Sequence, residues 1–143
     1  MRALLDVNVL IALLDRDHVH HDAASKWLGK NSKFGWSSCP LTQNGCIRIM
    51  SNAAYPSRLA IMDVVDRLTE AAQNPSHEFW PDDFSLLQPE KIVWSHVLGS
   101  RQLTDVYLLG LAVQHKGRFV TLDGGVTLPS IRKATKANLT CIV

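Results

Sequence analysis

The chain has 143 residues, a size that fits one domain built around a single hydrophobic core. Its composition, 46% hydrophobic and 20% charged, argues against disorder, collagen-like repeats and a coiled coil. The longest apolar run covers residues 9–14, whereas a membrane span needs about 20 apolar residues. The opening residues lack the basic leader of a signal peptide. We therefore expect one domain over residues 1–143 and no membrane segment.

The charge is distributed unevenly, although the net charge is only +2. Residues 116–143 contain five basic residues and one acidic residue, a net charge of +4, whereas residues 1–115 carry −2. A basic end on a nearly neutral body permits contact with nucleic acid, and it equally fits a solvated basic tail.

Three cysteines, Cys39, Cys46 and Cys141, cannot all pair within the chain and show no CxxC spacing. This usage predicts a reducing environment such as the cytoplasm. Cys39 and Cys46 are expected to be small buried apolar side chains.

The first half of the chain predicts two strands and three helices. In chain order these are a strand at 2–5, a helix at 9–14, a helix from His20 to Gly29, a strand at 34–38, and a helix capped by Thr42 that carries Cys46, Ile49 and Met50.

The second half predicts three further strands and three further helices. In chain order these are a helix from Pro56 to Asn74 with Ile61, Val65, Leu68 and Ala72 at helical spacing, a strand at 84–87, a short helix at 92–98, a helix capped by Thr104 with Gly117 just past its end, and strands at 119–122 and 139–143. Short apolar strands that alternate with helices predict an α/β fold, a three-layer α/β/α domain with a mostly parallel central sheet.

Three aspartates stand at the ends of predicted core elements. Asp6 follows the first strand, Asp123 follows the strand at 119–122, and Asp105 lies in the first turn of the helix after Thr104. Open parallel sheets bind ligands outside the carboxyl ends of their strands. Each aspartate alone also fits a helix cap or turn, and the helix dipole favours Asp105 where it is.

Taken together, the three aspartates predict a metal site. Carboxylates that lie close together raise one another's pKa unless a cation sits between them. Carboxylate oxygens are preferred ligands of Mg²⁺ and Mn²⁺, which also bind substrate phosphate. A cluster of acids without cysteine or histidine therefore indicates a hard divalent metal and phosphoryl chemistry.

These motifs resemble the PIN-domain family, and specifically the VapC-type toxins of bacterial toxin–antitoxin pairs. The segments LLDVNVLI at 4–11, TDVYLL at 104–109 and FVTLD at 119–123 resemble its first, third and last acidic motifs, over about residues 2–143. The resemblance implies a PIN-like domain, a metal-dependent ribonuclease that leaves a 5′-phosphate, and a structured RNA substrate such as tRNA or rRNA. It also implies inhibition by a cognate VapB antitoxin and assembly into a homodimer.

One position departs from the family pattern. The second acid, usually Glu, is expected one residue after Thr42, where this chain has Gln43. An amide has the same shape as the carboxylate and can coordinate through its oxygen, but it carries no negative charge and cannot act as a base. Natural tolerance, a degenerate toxin and an engineered change remain open explanations.

The resemblance implies a role for each motif residue. Asp6 and Asp105 are the first candidates for direct metal ligands, and Asp123 is expected to hold a second metal or to orient the attacking water. Gln43 is a weakened fourth member of the catalytic set. Asn8 is a candidate to hydrogen-bond Asp6 or a water, or to be a plain turn residue. Thr104 is expected to cap its helix, with a contact to the metal ligands as the alternative.

Basic and aromatic residues supply candidates for RNA binding. Arg101, four residues before Asp105, is expected either to reach substrate phosphate or to be an ordinary surface arginine. Arg132, Lys133 and Lys136 are expected to follow an RNA backbone, which predicts a salt-dependent affinity. The four tryptophans are expected mainly to pack, and Trp80 beside Pro81 is the one to test for base stacking.

Other functions fit the sequence less well. The leading alternative is a PIN-fold module that binds RNA or antitoxin, with its catalytic site disabled at Gln43. The histidine-rich segment 15–22 suggests zinc, although a helix start with solvated imidazoles explains it without metal. An aspartate-nucleophile phosphatase would need a second acid where the chain has Asn8, and Ser37 or Ser38 lacks the GxSxG turn of a serine hydrolase.

Overall fold

A computed structural model describes residues 1–143, and its centre is a five-stranded, fully parallel sheet. The strands are β1 (Ala3–Leu5), β2 (Trp36–Ser38), β3 (His77–Phe79), β4 (Arg118–Thr121) and β5 (Leu139–Cys141). Their order across the sheet is β3-β2-β1-β4-β5, and all four neighbouring pairs run parallel. The central strand β1 is buried along its whole length, which explains why its sequence is a continuous apolar run.

Helices cover both faces of this sheet. They are α1 (Val7–Leu14), α2 (His21–Asn31), α3 (Pro40–Met50), α4 (Ile61–Ala72) and α5 (Leu103–Gln114). Helices α1 to α4 share one apolar core with the side chain of Leu5, and α5 packs with Leu4 and Phe119 in a second core on the opposite face. The predicted three-layer α/β/α architecture is confirmed. None of the helices has the length and apolar character that a membrane crossing requires.

The predicted strand at 84–87 is wrong, because that segment is a loop with a turn at 86–87 and the third strand is His77–Phe79. β3 lies at the sheet edge with two exposed residues, so it lacks the apolar run by which a buried strand is recognised. Phe84 is apolar for another reason: it packs in the core of α5, and a Cβ on Gly110 would overlap its ring.

Several predicted helix ends are also wrong. Helix α2 continues past Gly29 to Asn31, and α3 begins at Pro40 with Cys39 as its N-cap. Helix α4 begins at Ile61 rather than Pro56, and α5 begins at Leu103 rather than after Thr104. Within 92–98 only a 3₁₀ turn at Trp94–His96 forms. Tertiary contacts override local signals here. Residues 51–60 form turns, for example, in which Tyr55 donates a hydrogen bond to the buried Asp15.

Helix α5 is followed by a turn in which Lys116 and Gly117 meet different structural requirements. Lys116 adopts the left-handed backbone conformation, with φ of 57°. Gly117 is required for a different reason, since a Cβ there would lie 2.7 Å from the backbone oxygen of Arg2 and 2.7 Å from the Trp80 ring. The glycine therefore allows α5 to turn closely into β4.

Candidate active site

The three predicted acids meet at the point where the strand order of the sheet reverses. From β1 the chain adds β2 and β3 on one side and later β4 and β5 on the other, so the crevice between the ends of β1 and β4 is the switch point of the sheet. Such crevices are the usual ligand sites of open parallel sheets. Asp6 directly follows β1, and Asp123 lies two residues beyond the end of β4.

Asp6 is buried and held by hydrogen bonds at both carboxylate oxygens. Its Oδ1 accepts from the Val7 backbone N at 2.7 Å, and its Oδ2 accepts from the Thr121 hydroxyl at 2.7 Å. Burial raises the pKa of Asp6; the two hydrogen bonds oppose this shift, and the charge of Asp123 adds to it. The carboxylate is therefore fixed in orientation before any ligand binds.

Asn8 acts on the neighbouring strand rather than directly on Asp6. Its amide donates to the Thr121 hydroxyl at 3.3 Å, and its carbonyl accepts from the Leu122 backbone N at 3.2 Å. The expected hydrogen bond from Asn8 to Asp6 is replaced by an indirect one through Thr121. Thr121 also accepts from the Asp123 backbone N at 3.0 Å, so one hydroxyl joins the Asp6 carboxylate to the backbone of Asp123. Sequence reasoning missed Thr121, which lies inside the predicted strand at 119–122 and gives no signal of its own.

Asp105 reaches the same site from α5. Burial raises the pKa of Asp105 to about 6, with further contributions from the charges of Asp6 and Asp123. No hydrogen bond offsets these causes. The structure thus brings the three aspartates close enough for their charges to interact, as the sequence predicts.

The pKa of Asp105 leads to a pH-dependent stability prediction. Without divalent cations, Asp105→Asn is expected to melt at a higher temperature than the parent protein at pH 7 to 8. The folded protein holds the Asp105 proton more tightly than the unfolded chain does, so this carboxyl lowers stability as the pH rises from about 4 to 6. Below about pH 4 the difference should vanish. Melting curves by circular dichroism in EDTA measure it, and an offset that is independent of pH would contradict this electrostatic cause.

Gln43 lies on α3 above the end of β2. Its amide Nε2 donates to the Ser38 hydroxyl at 3.0 Å, and that hydroxyl pairs with His77 Nε2 at 2.8 Å. Burial lowers the pKa of His77. Neutral His77 therefore suits the role of acceptor from Ser38, and Gln43 serves as a donor to the same hydroxyl.

Asp82 joins the two helices that carry Gln43 and Asp105. Its Oδ2 accepts from the backbone N of Leu41 in the first turn of α3 at 3.0 Å, and its Oδ1 accepts from the Tyr107 hydroxyl of α5 at 2.9 Å. The contact caps α3 and fixes its start relative to α5. The sequence carries no signal for this, because Asp82 lies in a loop far from both helices along the chain.

The donor set fits a hydrated hard cation better than a closed metal cage. No three histidine, cysteine, aspartate or glutamate side chains are close enough to hold one ion among themselves. Mg²⁺ usually binds through one or two carboxylates and completes its shell with water and substrate phosphate. Asp105, which lies near two like charges and has no counter-charge, has the chemistry of such a ligand.

Other predicted site residues lie at different ends of α5. Arg101 is exposed in the 3₁₀ turn that precedes α5, at the same end of the helix as Asp105. Thr104 lies inside the first turn, is exposed, and does not cap the helix. Lys133 lines a cavity beside the C-terminal half of α5, and the backbone of the preceding Arg132 bonds to that of Lys91. The structure thus separates Arg132 and Lys133 from Arg101.

Trp80 is unsuited to base stacking, because it is only 3% exposed and stacks on His115 with ring centroids 4.3 Å apart. Trp94, at 45% exposure, is the more accessible indole. The histidine-rich segment 15–22 forms no metal cluster, and Asp15 instead ends α1 and accepts from Tyr55. Beside Asp15 lies a cavity of about 970 Å³, and none of the three site aspartates lines it.

Comparison with known proteins agrees with this geometry. The PIN domain model matches residues 3–129. The chain is 48% identical over 139 residues to Ribonuclease VapC44 of Mycobacterium tuberculosis, covering 97% of this chain and 98% of that protein. It is 44% identical to Ribonuclease VapC29 of the same organism, covering 88% of this chain and 89% of the relative. It is 38% identical to Ribonuclease VapC38, covering 99% of each.

A solved structure shares the fold. It is the crystal structure of VapBC2 from Rickettsia felis bound to a DNA fragment from their promoter, with a TM-score of 0.59 and 13% identity, covering 86% of this chain and 89% of that chain. The chain therefore belongs to the PIN-domain family, in its VapC-type toxin branch.

Proposed function

We propose that this chain is the ribonuclease toxin of a VapBC toxin–antitoxin pair, and that it hydrolyses RNA phosphodiester bonds with the help of a divalent cation, Mg²⁺ or Mn²⁺. The observation that carries the proposal is the convergence of Asp6, Asp105 and Asp123 at the switch point of the sheet. The ribonuclease names of relatives that match nearly the whole chain support it.

The proposed mechanism divides the work among the three carboxylates. Asp6 and Asp105 would hold the cation, and Asp123 would orient the attacking water or help to hold a second cation. The chemistry that such a cation would supply is a lower pKa of the attacking water and neutralisation of charge on the scissile phosphate. Thr121 keeps the Asp6 carboxylate in one orientation, and Asp105, free of hydrogen bonds within the protein, adjusts to the ligand.

The proposed partners are an RNA substrate, such as tRNA or rRNA, and a cognate VapB-type antitoxin that keeps the toxin inactive. A homodimer is proposed on the resemblance alone. Cys39, Cys46 and Cys141 are all unpaired, which supports the prediction of a reducing, cytoplasmic setting.

A second candidate function is a PIN-fold module that binds RNA or antitoxin with weakened catalysis. The observation that favours it is Gln43, whose neutral amide donates to Ser38 where the family usually has an acid. One fewer negative charge weakens the attraction of a divalent cation to the site.

Cleavage of total RNA by the purified protein, with Mn²⁺ or with EDTA, tests the proposed activity. We expect discrete cleavage products with Mn²⁺ and none with EDTA. Binding of RNA or antitoxin without cleavage under either condition would favour the binding module instead.

A further inference from the structure

A second cavity, of about 300 Å³, opens beside the C-terminal half of α5. Its apolar part is formed by Phe84, Val113 and Ile131. Gly110 also lines it, and the missing Cβ lets the Phe84 ring lie directly against the helix. We name this space the α5 cavity. None of the site aspartates lines it, so it is separate from the acid cluster.

Three lysines surround the apolar part of the α5 cavity. They are Lys91, Lys116 and Lys133, and they come from three separate segments of the chain. A β-bridge between Ile92 and Ile131 brings two of these segments together. Lys91 Nζ stands 5.6 Å from the centroid of the Phe84 ring, directly over the apolar part. The fold therefore gathers positive charge around a small apolar recess.

These lysines have no acidic partner in the protein. The two salt bridges of the structure join Arg2 to Glu78 and His115 to Asp83, and neither involves a lysine. Lys91 Nζ donates only to the neutral amide oxygen of Gln114, at 3.5 Å. Gathered charges of one sign attract a ligand of opposite sign, so these lysines favour an anion. A nucleotide combines phosphate charge with a flat aromatic base whose faces pack against apolar side chains, whereas an aspartate or glutamate side chain supplies charge without such a face.

The α5 cavity and the acid cluster lie along the same helix. Gly110 and Gln114 follow Asp105 by five and nine residues, which places them roughly 7 to 14 Å further along the helix axis. A single RNA strand is long enough to contact both places. A nucleotide held in the cavity would therefore lie at a set distance from the phosphate at the acid cluster.

We propose that the α5 cavity binds one unpaired nucleotide of a single-stranded RNA segment, with the base in the apolar recess and the phosphates between Lys91, Lys116 and Lys133. The inference rests on the proposed function, because it names the part of the RNA substrate that this enzyme recognises away from the cut. Recognition of an unpaired nucleotide suits single-stranded loops, whose bases are free to leave the stack.

Fluorescence anisotropy with a short labelled single-stranded RNA in EDTA measures the phosphate contacts. The double variant Lys91→Gln/Lys133→Gln is expected to weaken binding and to reduce the slope of log affinity against log salt by about 1.4, since each lost phosphate contact removes about 0.7. The double variant Lys26→Gln/Lys30→Gln is the matched control, because it removes the same charge from exposed positions of α2 and should keep the parent slope. A slope equal to the parent's in the first variant would overturn the proposal.

A test of the base contact requires a variant that changes no charge. Val113→Trp fills the α5 cavity and is expected to lower RNA affinity about tenfold, within the range of one lost base contact. Its melting temperature shows whether it folds. Independently of any variant, uridine 5′-monophosphate should shift the amide NMR signals of Gly110 and Val113 in the parent protein.

Three further results would contradict the proposal. Parent-like affinity of folded Val113→Trp would mean that the lysines form an open charged surface. The absence of shifts with uridine 5′-monophosphate would mean that the recess takes no base. Shifts with a poly-glutamate peptide alone would assign the cavity to an acidic protein segment.

Failure of this inference is distinguishable from failure of the proposed activity. A parent protein that binds RNA through the cavity but cleaves none with Mn²⁺ contradicts the ribonuclease proposal alone. A parent protein that cleaves RNA, with cavity variants that bind as the parent does, contradicts the cavity proposal alone.

Discussion

Replacing Asp105 by asparagine is expected to lower the rate of RNA cleavage in the presence of Mn²⁺ by more than about 100-fold, while the affinity for RNA in EDTA is retained. Asparagine keeps the shape of the side chain but removes the charge that a divalent cation needs. Loss of even an outer partner of a metal site costs about 10- to 100-fold, so loss of Asp105, which we propose as a direct ligand, should cost more. Cleavage assays and anisotropy on the same samples measure both quantities.

Asp105 is a cleaner position for this test than Asp6. Asp6 also accepts hydrogen bonds from the Val7 backbone and from Thr121, so Asp6→Asn disturbs the start of α1 as well as the charge. Asp105 makes no hydrogen bond that would be lost. Asp66→Asn, an exposed position of α4, is the matched control and should cleave as the parent does. Full activity of Asp105→Asn would remove this residue from the catalytic set.

Gln43→Glu is expected to raise both Mn²⁺ affinity and the rate of RNA cleavage, each by at least about tenfold, equivalent to about 1.4 kcal/mol. The substitution restores a negative charge where the family usually has an acid, and the added charge attracts the cation. Isothermal titration with Mn²⁺ and cleavage assays measure the two effects. Unchanged Mn²⁺ affinity would show that Gln43 lies outside the metal site.

The substitution at Gln43 should also reverse one hydrogen-bond chain. The amide of Gln43 donates to the Ser38 hydroxyl, whereas a glutamate at that position would accept from it. Ser38 would then accept from His77 Nε2, while the other ring nitrogen already bonds to the Ala72 backbone, so the His77 ring should gain a proton on Nε2, as nitrogen NMR can detect. Asn44→Asp is the control: it adds the same charge one residue further along α3, at an exposed position. It should change neither the Mn²⁺ affinity and cleavage rate nor the protonation of His77.

The acidic motifs are predictable from the sequence because each depends on local order along the chain. An apolar run that ends in an aspartate predicts the end of a buried strand, and the structure has Asp6 directly after β1 and Asp123 just beyond β4. Local order likewise predicts Asp105 in the first turn of α5, where the structure has it. Because parallel strands all end at one edge of the sheet, the meeting of these acids follows from the fold class itself.

Contacts between distant segments are decided only by the tertiary structure. Asp82 joins α3 to α5 across 41 and 25 residues of sequence. Thr121 bonds to Asp6 across 115 residues. Neither residue type nor spacing signals these bonds, because a hydrogen bond depends on where two segments lie in space.

The sequence also fails to predict whether an aromatic residue is buried or lies in a strand, because both depend on tertiary packing. The apolar character of Phe84 predicts a strand, but its hydrophobicity serves packing against Gly110 of α5. The position of Trp80 beside Pro81 makes it the tryptophan to test for stacking, yet its ring is enclosed against His115 and packs, as expected for the tryptophans in general. By itself the sequence determined the α/β class and the position of each acid at the end of a strand or the start of a helix, since both follow from short-range patterns of apolar residues. The tertiary structure alone decided which polar groups hold those acids and where the lysines gather, because both depend on packing between segments far apart in the chain.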